Sequence, residues 1–250
     1  MPEATMKVDL IRHTLSPEEL CALGARLCYS RATLDTLRTK VESQDQSRFV
    51  QSLMDMGHLS VMEHASFTFG VEGVSRVLLA QLTRHRLASF SVQSQRYVSY
   101  EKGFGYIVPP QIAALGPEEE AEYHRQMDQI HEWYTTWQAK LGKKGEGSNE
   151  DARFVLPGAC ETRLLVTMNV RELRHFFGLR MCSRAQWEIR ELATRMHKLC
   201  LETAPELFRD AGPACLRGKC DQGEKSCGRM AEIRAQREQL INELTEKMEG

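Results

Sequence analysis

Thr83–Tyr97 reads TRHRLASFSVQSQRY. Arg84, His85 and Arg86 stand in a row, a hydroxyl-rich run follows, and Arg96 closes the stretch. The residues before it say where that charge sits. Phe67 and Phe69 alternate with polar neighbours, the pattern of a strand, and Gly73 is expected to break it. From Val74 the apolar spacing turns helical through Val77, Leu78 and Leu82, so the cationic row sits at a helix end. No acidic residue lies between Glu72 and Glu101, an interval that also holds Arg76 and Ser75, Ser89, Ser91, Ser94 and Ser99. A second acid-free interval, Leu173–Trp187, carries Arg174, His175, Arg180 and Arg184. Solvated helix surfaces usually mix signs, because opposite charges one turn apart support each other. Two distant segments without local counter-charge are expected to converge on an anion. Arginine forks grip phosphate or a planar imide edge bidentately, and hydroxyls and helix ends add donors. The competing reading pairs each arginine with one of the 34 Asp and Glu residues elsewhere in the chain. Side-chain chemistry alone points to an anion site, with a nucleotide as the leading ligand.

The bulk numbers keep that site local. The chain has 250 residues, 42% of them hydrophobic, enough for a substantial core. Its formal net charge is −1, whereas a protein that holds nucleic acid by its overall field carries a positive excess. The N-terminal MPEATMKVDLIRH has no long apolar run of a secretory signal, and no stretch of about 18 apolar residues occurs anywhere. The expectation is a cytoplasmic protein without a membrane span. Of eight cysteines, Cys21, Cys28, Cys160, Cys182 and Cys200 lie in patterned sequence and read as small buried hydrophobes.

Along the chain, Lys7–His13 reads as a first strand, and Ser16-Pro17-Glu18-Glu19 as a helix start with Ser16 as cap. Ser43–Met56 reads as a second helix stopped by Gly57, His58–His64 as a loop and Gln95–Tyr100 as extended. A long helix is expected over Pro117–Leu141, a short one from Asn149 or Asp151 to Pro157, and a strand over Thr162–Asn169. Helices follow over Val170–Leu179, Ala185–Asp210 and Met230–Met248, the last after a Cys/Gly/Lys loop that begins at Gly212-Pro213.

Arg84-His85-Arg86, seven residues and Ser94 form the pattern R-H-R-x7-S, and Arg96-Tyr97 extend it. The pattern resembles the signature of the flavin-dependent thymidylate synthases, the ThyX family. Further blocks are similar and in the same order: GHLSVMEHASFTF (Gly57–Phe69), ARFVLP (Ala152–Pro157), NVREL (Asn169–Leu173) and LRMCSRAQWEIR (Leu179–Arg190). The resemblance runs from Lys7 to Asp210. It implies an α+β fold: one mixed helix/sheet domain over residues 1–211, with the loop and helix of residues 212–250 appended. It also implies reductive methylation of dUMP to dTMP, with 5,10-methylenetetrahydrofolate as carbon donor, FADH2 as hydride donor and NADPH as reductant. Family members are homotetramers with shared sites, which fits the lack of a Gly-rich dinucleotide loop or P-loop here.

By motif position the resemblance assigns Gln81, Leu82, Thr83, Arg84, Gln93, Ser94, Gln95, Arg96, Arg153 and Arg180 to dUMP. It assigns His58, Ser60, Glu63, Arg84, His85, Arg86, Asn169, Val170, Arg171 and His175 to FAD. Arg180 is the implied catalytic residue: a fixed cation against the uracil imide favours the N3-deprotonated ring, which is electron-rich at C5. Val92, His175 and Arg184 depart from the side chains some relatives carry.

Two other readings stay in view. LPGAC (Leu156–Cys160) has the look of a Pro-then-Cys nucleophile, but Cys160 opens an apolar strand-like run, and a catalytic thiol needs access and activation. The basic runs with Phe90, Tyr97 and Tyr100 are the other case, a single-strand nucleic-acid platform, which the balanced charge disfavours. The tail has Cys215-x4-Cys220-x6-Cys227, whose spacing is not that of paired zinc knuckles, so free thiols or a redox pair are favoured and no metal is assigned. Met230, Ile233, Leu240, Leu244 and Met248 make a partial stripe suited to packing or self-association.

Overall fold

Alternation of apolar and polar side chains builds the sheet, and helical stripes build everything around it. The structure is a computed structural model that describes residues 1–249, with side chains for all of these except Thr245, Lys247, Met248 and Glu249. In chain order the elements are β1 (Lys7–His13), α1 (Pro17–Tyr29), α2 (Leu34–Glu42), α3 (Ser47–Asp55) and a 3₁₀ turn at Leu59–His64. Next come β2 (Ser66–Ser75), α4 (Arg76–Leu82), β3 (Ala88–Val92), α5 (Pro110–Ala113), α6 (Pro117–Lys140) and α7 (Glu146–Ala152). The chain then forms β4 (Glu161–Asn169), α8 (Val170–Arg180), α9 (Trp187–Thr203), α10 (Pro205–Phe208) and α11 (Met230–Glu249). The strands form one sheet in the order β1-β2-β4-β3. The fold is α+β.

The chain divides into two compact units. The first holds Met1–Val8, Gly70–Arg84 and Phe90–Val166. Its core gathers Tyr100, Phe104, Tyr106, Met127, Tyr134 and Cys160, with α6 giving it Met127 and Tyr134. The second holds Asp9–Phe69, His85–Ser89 and the chain from Thr167 onward. Phe67, Phe177 and Phe208 meet there edge to face, with ring centroids 5.4 Å apart for Phe67–Phe208 and 6.0 Å for Phe177–Phe208. Burying each such ring contributes roughly 1.5–3 kcal/mol. Thr68 and Thr167 share a hydroxyl hydrogen bond of 2.8 Å that fixes the register of β2 on β4.

Several boundaries differ from the sequence reading, each for a local reason. The helix expected over Ser43–Met56 starts four residues later, as α3 from Ser47, after α2 ends at Glu42. Between them Asp45 accepts from the Ser47 N–H and hydroxyl, and the buried Gln46 amide donates to the Val41 carbonyl, so side chains satisfy the turn that a helix would have used. Helix α2 itself escaped notice, although Thr33 caps it at the Thr36 N–H and Leu37 and Val41 face inward. Ser16 stands at the start of α1 as expected but in a left-handed conformation, with no side-chain cap. Gly73 does not end its strand. It has φ +66°, and a Cβ there would lie 2.0 Å from the Thr5 carbonyl oxygen, so glycine lets β2 continue to Ser75. The span Gln95–Tyr100, expected to be extended, opens with a turn at Gln95–Tyr97, held by Val98 N–H donating to the Ser94 carbonyl at 3.0 Å. Strand β3 precedes it unforeseen. The helix expected over Ala185–Asp210 starts at Trp187 and breaks before Pro205, which has no N–H to continue it.

The C-terminal helix is tied down by Arg234, which donates to the Cys215 and Gly218 carbonyls, and by Arg237. Arg237 donates to His197 Nε2 and to the Ala211 and Arg209 carbonyls, and burial pushes its guanidinium down to about 10. Leu244 of the expected stripe is buried, and the Met248 side chain lies outside the described residues.

Candidate active site

The first unit carries the turn that follows α4. Ser75 caps that helix by accepting from the Leu78 N–H at 2.9 Å, and Leu78, Leu79 and Leu82 are buried. Thr83 ends it with its hydroxyl on the Leu79 carbonyl at 3.0 Å. Arg84 is left in solvent with no ion pair among the described residues. Gln93 donates its N–H to the Arg163 carbonyl at 2.9 Å, which seats it beside β4, and Gln95 Nε2 reaches Cys160 Sγ at 3.6 Å. The Ser94 hydroxyl accepts from the Arg96 N–H at 3.2 Å. Arg96 is not without partners, as the sequence suggested. It pairs with Glu146 and Glu150 of α7, and Asn149 Nδ2 donates to its carbonyl at 2.9 Å. Asn149 is itself held, with Oδ1 accepting from Gln138 Nε2 at 2.6 Å. Arg153, one turn along, donates from Nε to the Glu150 carbonyl at 3.1 Å and has no ion pair among the described residues. The structure thus gathers Arg96 and Arg153 around α7, with Glu146, Asn149 and Glu150 as partners the sequence reading did not single out.

The chain returns to the second unit at His85, the next residue. Its ring is buried, edge-on to Phe176 with centroids 5.0 Å apart and edge-on to His175 at 5.9 Å. Arg180 Nε lies 3.1 Å from His85 Nε2, and Glu172 Oε1 lies 2.9 Å from His85 Nδ1. A guanidinium only donates, so Nε2 must accept. The ring proton therefore sits on Nδ1 and is donated to Glu172. Burial, and then Arg180 and His175, hold the imidazole below its ordinary pKa against the pull of Glu172, which keeps it neutral. Both ring nitrogens of His85 are thus engaged within the chain. Helix α8 sets this line up. Asn169 caps it by accepting from the Glu172 N–H at 2.9 Å, and Val170 is buried at its first turn.

Around α8 the remaining residues divide. Arg174, counted among the unpaired cations in sequence, is buried and grips Asp210 with both Nη atoms at 2.7 and 2.8 Å, so it is structural. Arg171 pairs with Glu63 on the exposed 3₁₀ turn that also carries Ser60. His58, at the mouth of that turn, is exposed and stacks on Tyr29 with centroids 6.4 Å apart. Arg86 is exposed with no ion pair among the described residues, as is Arg184. Glu172 was missed in sequence for a clear reason: three residues after Asn169, it reads as an ordinary helix-capping acid.

The cysteines divide: Cys21, Cys160, Cys200 and Cys215 are buried, whereas Cys28, expected to be buried, is exposed, as is Cys227, whose thiol is held below its ordinary pKa by hydrogen bonding to Ser183. Cys160 is fully buried and its thiol is pushed up to about 11 by burial. Cys215, Cys220 and Cys227 share with Cys182 the wall of a cavity of about 10 Å³. Among the described residues no group of three or more His, Cys, Asp or Glu is placed to hold a metal.

A family model described as thymidylate synthase complementing protein matches residues 9–206. A protein of Geobacter sulfurreducens named flavin-dependent thymidylate synthase is 49% identical over 230 residues, covering 92% of this chain and 97% of that protein. The chain belongs to the flavin-dependent thymidylate synthase family. Proteins of the same name from Clostridium tetani and Nitratidesulfovibrio vulgaris are 41% and 45% identical, each covering 92% of this chain and 96% or 97% of their own length. As a flavin-dependent thymidylate synthase the chain is an enzyme that transfers a methyl group in dTMP synthesis. A buried thiol held protonated at neutral pH is the wrong nucleophile for that task, so the rival built on Cys160 loses its chemical basis. No helix among the described residues is long and apolar enough to cross a membrane.

Proposed function

We propose that the enzyme methylates dUMP with 5,10-methylenetetrahydrofolate, using FAD as its flavin and NADPH to reduce it. One observation carries the assignment of the basic turn. In a chain that pairs Arg96, Arg171 and Arg174 with carboxylates, Arg84 and Arg86 stay exposed with no ion pair among the described residues. Arginines left in water beside a helix end are suited to a phosphate-bearing ligand. Arg84, Gln81, Leu82, Thr83, Gln93, Ser94, Gln95, Arg96 and Arg153 are the proposed dUMP contacts, with Arg96 exchanging Glu146 and Glu150 for phosphate oxygens. The residues present also fit a flavin dinucleotide. Arg86 and Arg171 offer exposed guanidinium forks, and His58, Ser60 and His175 offer exposed ring and hydroxyl groups. When bound, the flavin supplies the hydride that completes the methyl group.

The chain's own contribution is electrostatic. Arg180, with Nε fixed on His85, presents a preorganised cation to the uracil imide, lowers the pKa of N3–H and raises electron density at C5. Ser94 hydrogen-bonds the nucleotide rather than attacking it, since no base is reserved for its hydroxyl. Residues 1–211 form the catalytic region in this reading, and residues 212–250 are an appended segment. Exposed Leu87, Tyr97 and Phe154, the last 82% exposed, are apolar surface suited to burial in a homotetramer. The enzyme is placed in the cytoplasm, acting on small molecules and neither nucleic acid nor membrane. The test is anaerobic. Reduced, flavin-loaded enzyme mixed with dUMP and methylenetetrahydrofolate is expected to oxidise its flavin and form one dTMP per site, and Arg180→Ala to abolish both. Flavin oxidation without dTMP, or full activity in Arg180→Ala, would overturn the reading.

A further inference from the structure

We infer that Glu172, acting through His85, is a positioning residue for Arg180. The inference rests on the reading above that Arg180 addresses the uracil ring. The geometry is a line of three side chains: Glu172 Oε1 at 2.9 Å from His85 Nδ1, and His85 Nε2 at 3.1 Å from Arg180 Nε. Each link fixes the next. The carboxylate oxygen accepts and so holds the imidazole proton on Nδ1. With that proton placed, Nε2 carries its lone pair toward Arg180, and the guanidinium plane is pinned at Nε.

Helix capping does not account for where the carboxylate goes. In a reciprocal capping box the third-position acid turns back to the N–H of the capping residue. Here Asn169 caps the Glu172 N–H, but the Glu172 side chain goes instead to a histidine 87 residues earlier in the chain. That carboxylate is only 6% exposed. Burying a carboxylate is costly unless it is well partnered, so the position is a poor one for an acid whose only task is to start a helix. The histidine is equally committed, being enclosed by Phe176 and His175 and only 5% exposed. An apolar residue would fill that space without the electrostatic cost. What the pair adds is direction: an acceptor atom held at one point, toward which Arg180 must aim its Nε–H.

The test is Glu172→Gln, which keeps size and shape. An amide offers His85 Nδ1 a donor as readily as an acceptor, so the Nε2–H tautomer becomes available and sets donor against donor at Arg180. Loss of a supporting group of this kind typically costs about 10–100-fold in turnover. The expected result is a fall of that size in kcat for dTMP formation. Flavin content and the dUMP dissociation constant, followed by the perturbation of flavin absorbance, are expected to stay within about twofold. His85→Leu, which removes both ring nitrogens, is expected to lose kcat to the same extent. In an Arg180→Lys background, which lacks the Nε–H, Glu172→Gln is expected to add at most about a twofold loss, since the line it supports is already broken. Full kcat in Glu172→Gln, or losses that multiply in the Arg180→Lys background, would overturn the positioning role and leave the role of Arg180 standing. A fully active Arg180→Ala overturns both.

Discussion

Arg84 and Cys160 show how little residue type says without surroundings. Arg84 ends a helix whose apolar face is buried, so its guanidinium is left in water with no carboxylate partner among the described residues. A charged hydrogen bond to a ligand is worth about 1.5–3 kcal/mol. Arg84→Ala is therefore expected to weaken dUMP binding and FAD retention by roughly 10–100-fold each, measured by titration of the flavin absorbance; an unchanged affinity for both would remove Arg84 from the site. Cys160 is the opposite case, a reactive residue made inert by its environment. Burial pushes its thiol up to about 11, and its Sγ receives the Gln95 amide. Cys160→Ala is expected to retain turnover within about threefold, because a protonated buried thiol has no part in the chemistry; complete loss in a folded, flavin-loaded variant would restore the thiol mechanism. His85 and Glu172 lie between these extremes. Both appear in the signature blocks, yet nothing in a linear string says that residues so far apart share a proton.

At the scale of elements, α7 is the segment that the periodicity described least well. It was expected from Asn149 or Asp151 onward, and it starts at Glu146. Its inner face is polar: Ser148 and Asn149 are buried, and Asn149 takes the Gln138 amide while donating to the Arg96 carbonyl. A hydrophobic pattern cannot reveal a helix that is buried through hydrogen bonds. Asn149→Leu takes one of three acceptors from the Gln138 amide and leaves the Arg96 carbonyl without its donor. A buried polar group so stranded costs about 1–3 kcal/mol. Urea unfolding is expected to show a loss of that size together with weaker dUMP binding, and an unchanged midpoint would mean that the network contributes nothing. The same contrast separates α2 from β2. Strand β2 is written in alternating phenylalanines, whereas α2 has few apolar residues and is recognised chiefly by its Thr33 cap.

Across the whole molecule, buried histidines set the response to acid. His197 lies in the core of the second unit, fully buried, with Arg237 and Arg174 and the partly offsetting Asp210 around it, and burial is the main reason it is pushed down to about 3 from an ordinary 6.5. His85 is lowered in the same direction. The unfolded chain takes up these protons near 6.5, whereas the folded chain takes them up only at lower pH, about 3 for His197. Acid therefore favours unfolding: the stability is fully present above 6.5 and is lost as the pH falls toward 3. Thermal unfolding scans between pH 8 and pH 4 are expected to show a falling midpoint below about 6.5, and His197→Leu to flatten that slope; a midpoint independent of pH would contradict the burial argument.

The sequence by itself determined most of the longer elements, the apolar faces of most helices and strands, and the family, because periodicity and signature spacing are properties of neighbouring residues. Only the tertiary structure decided which arginines are satisfied and which are left for a ligand. Arg174 found Asp210, Arg96 found α7, Arg84 found no partner among the described residues, and Arg180 found His85. The partners of charged side chains come from remote parts of the chain, and an ion pair forms over ångströms of space whatever the number of residues between.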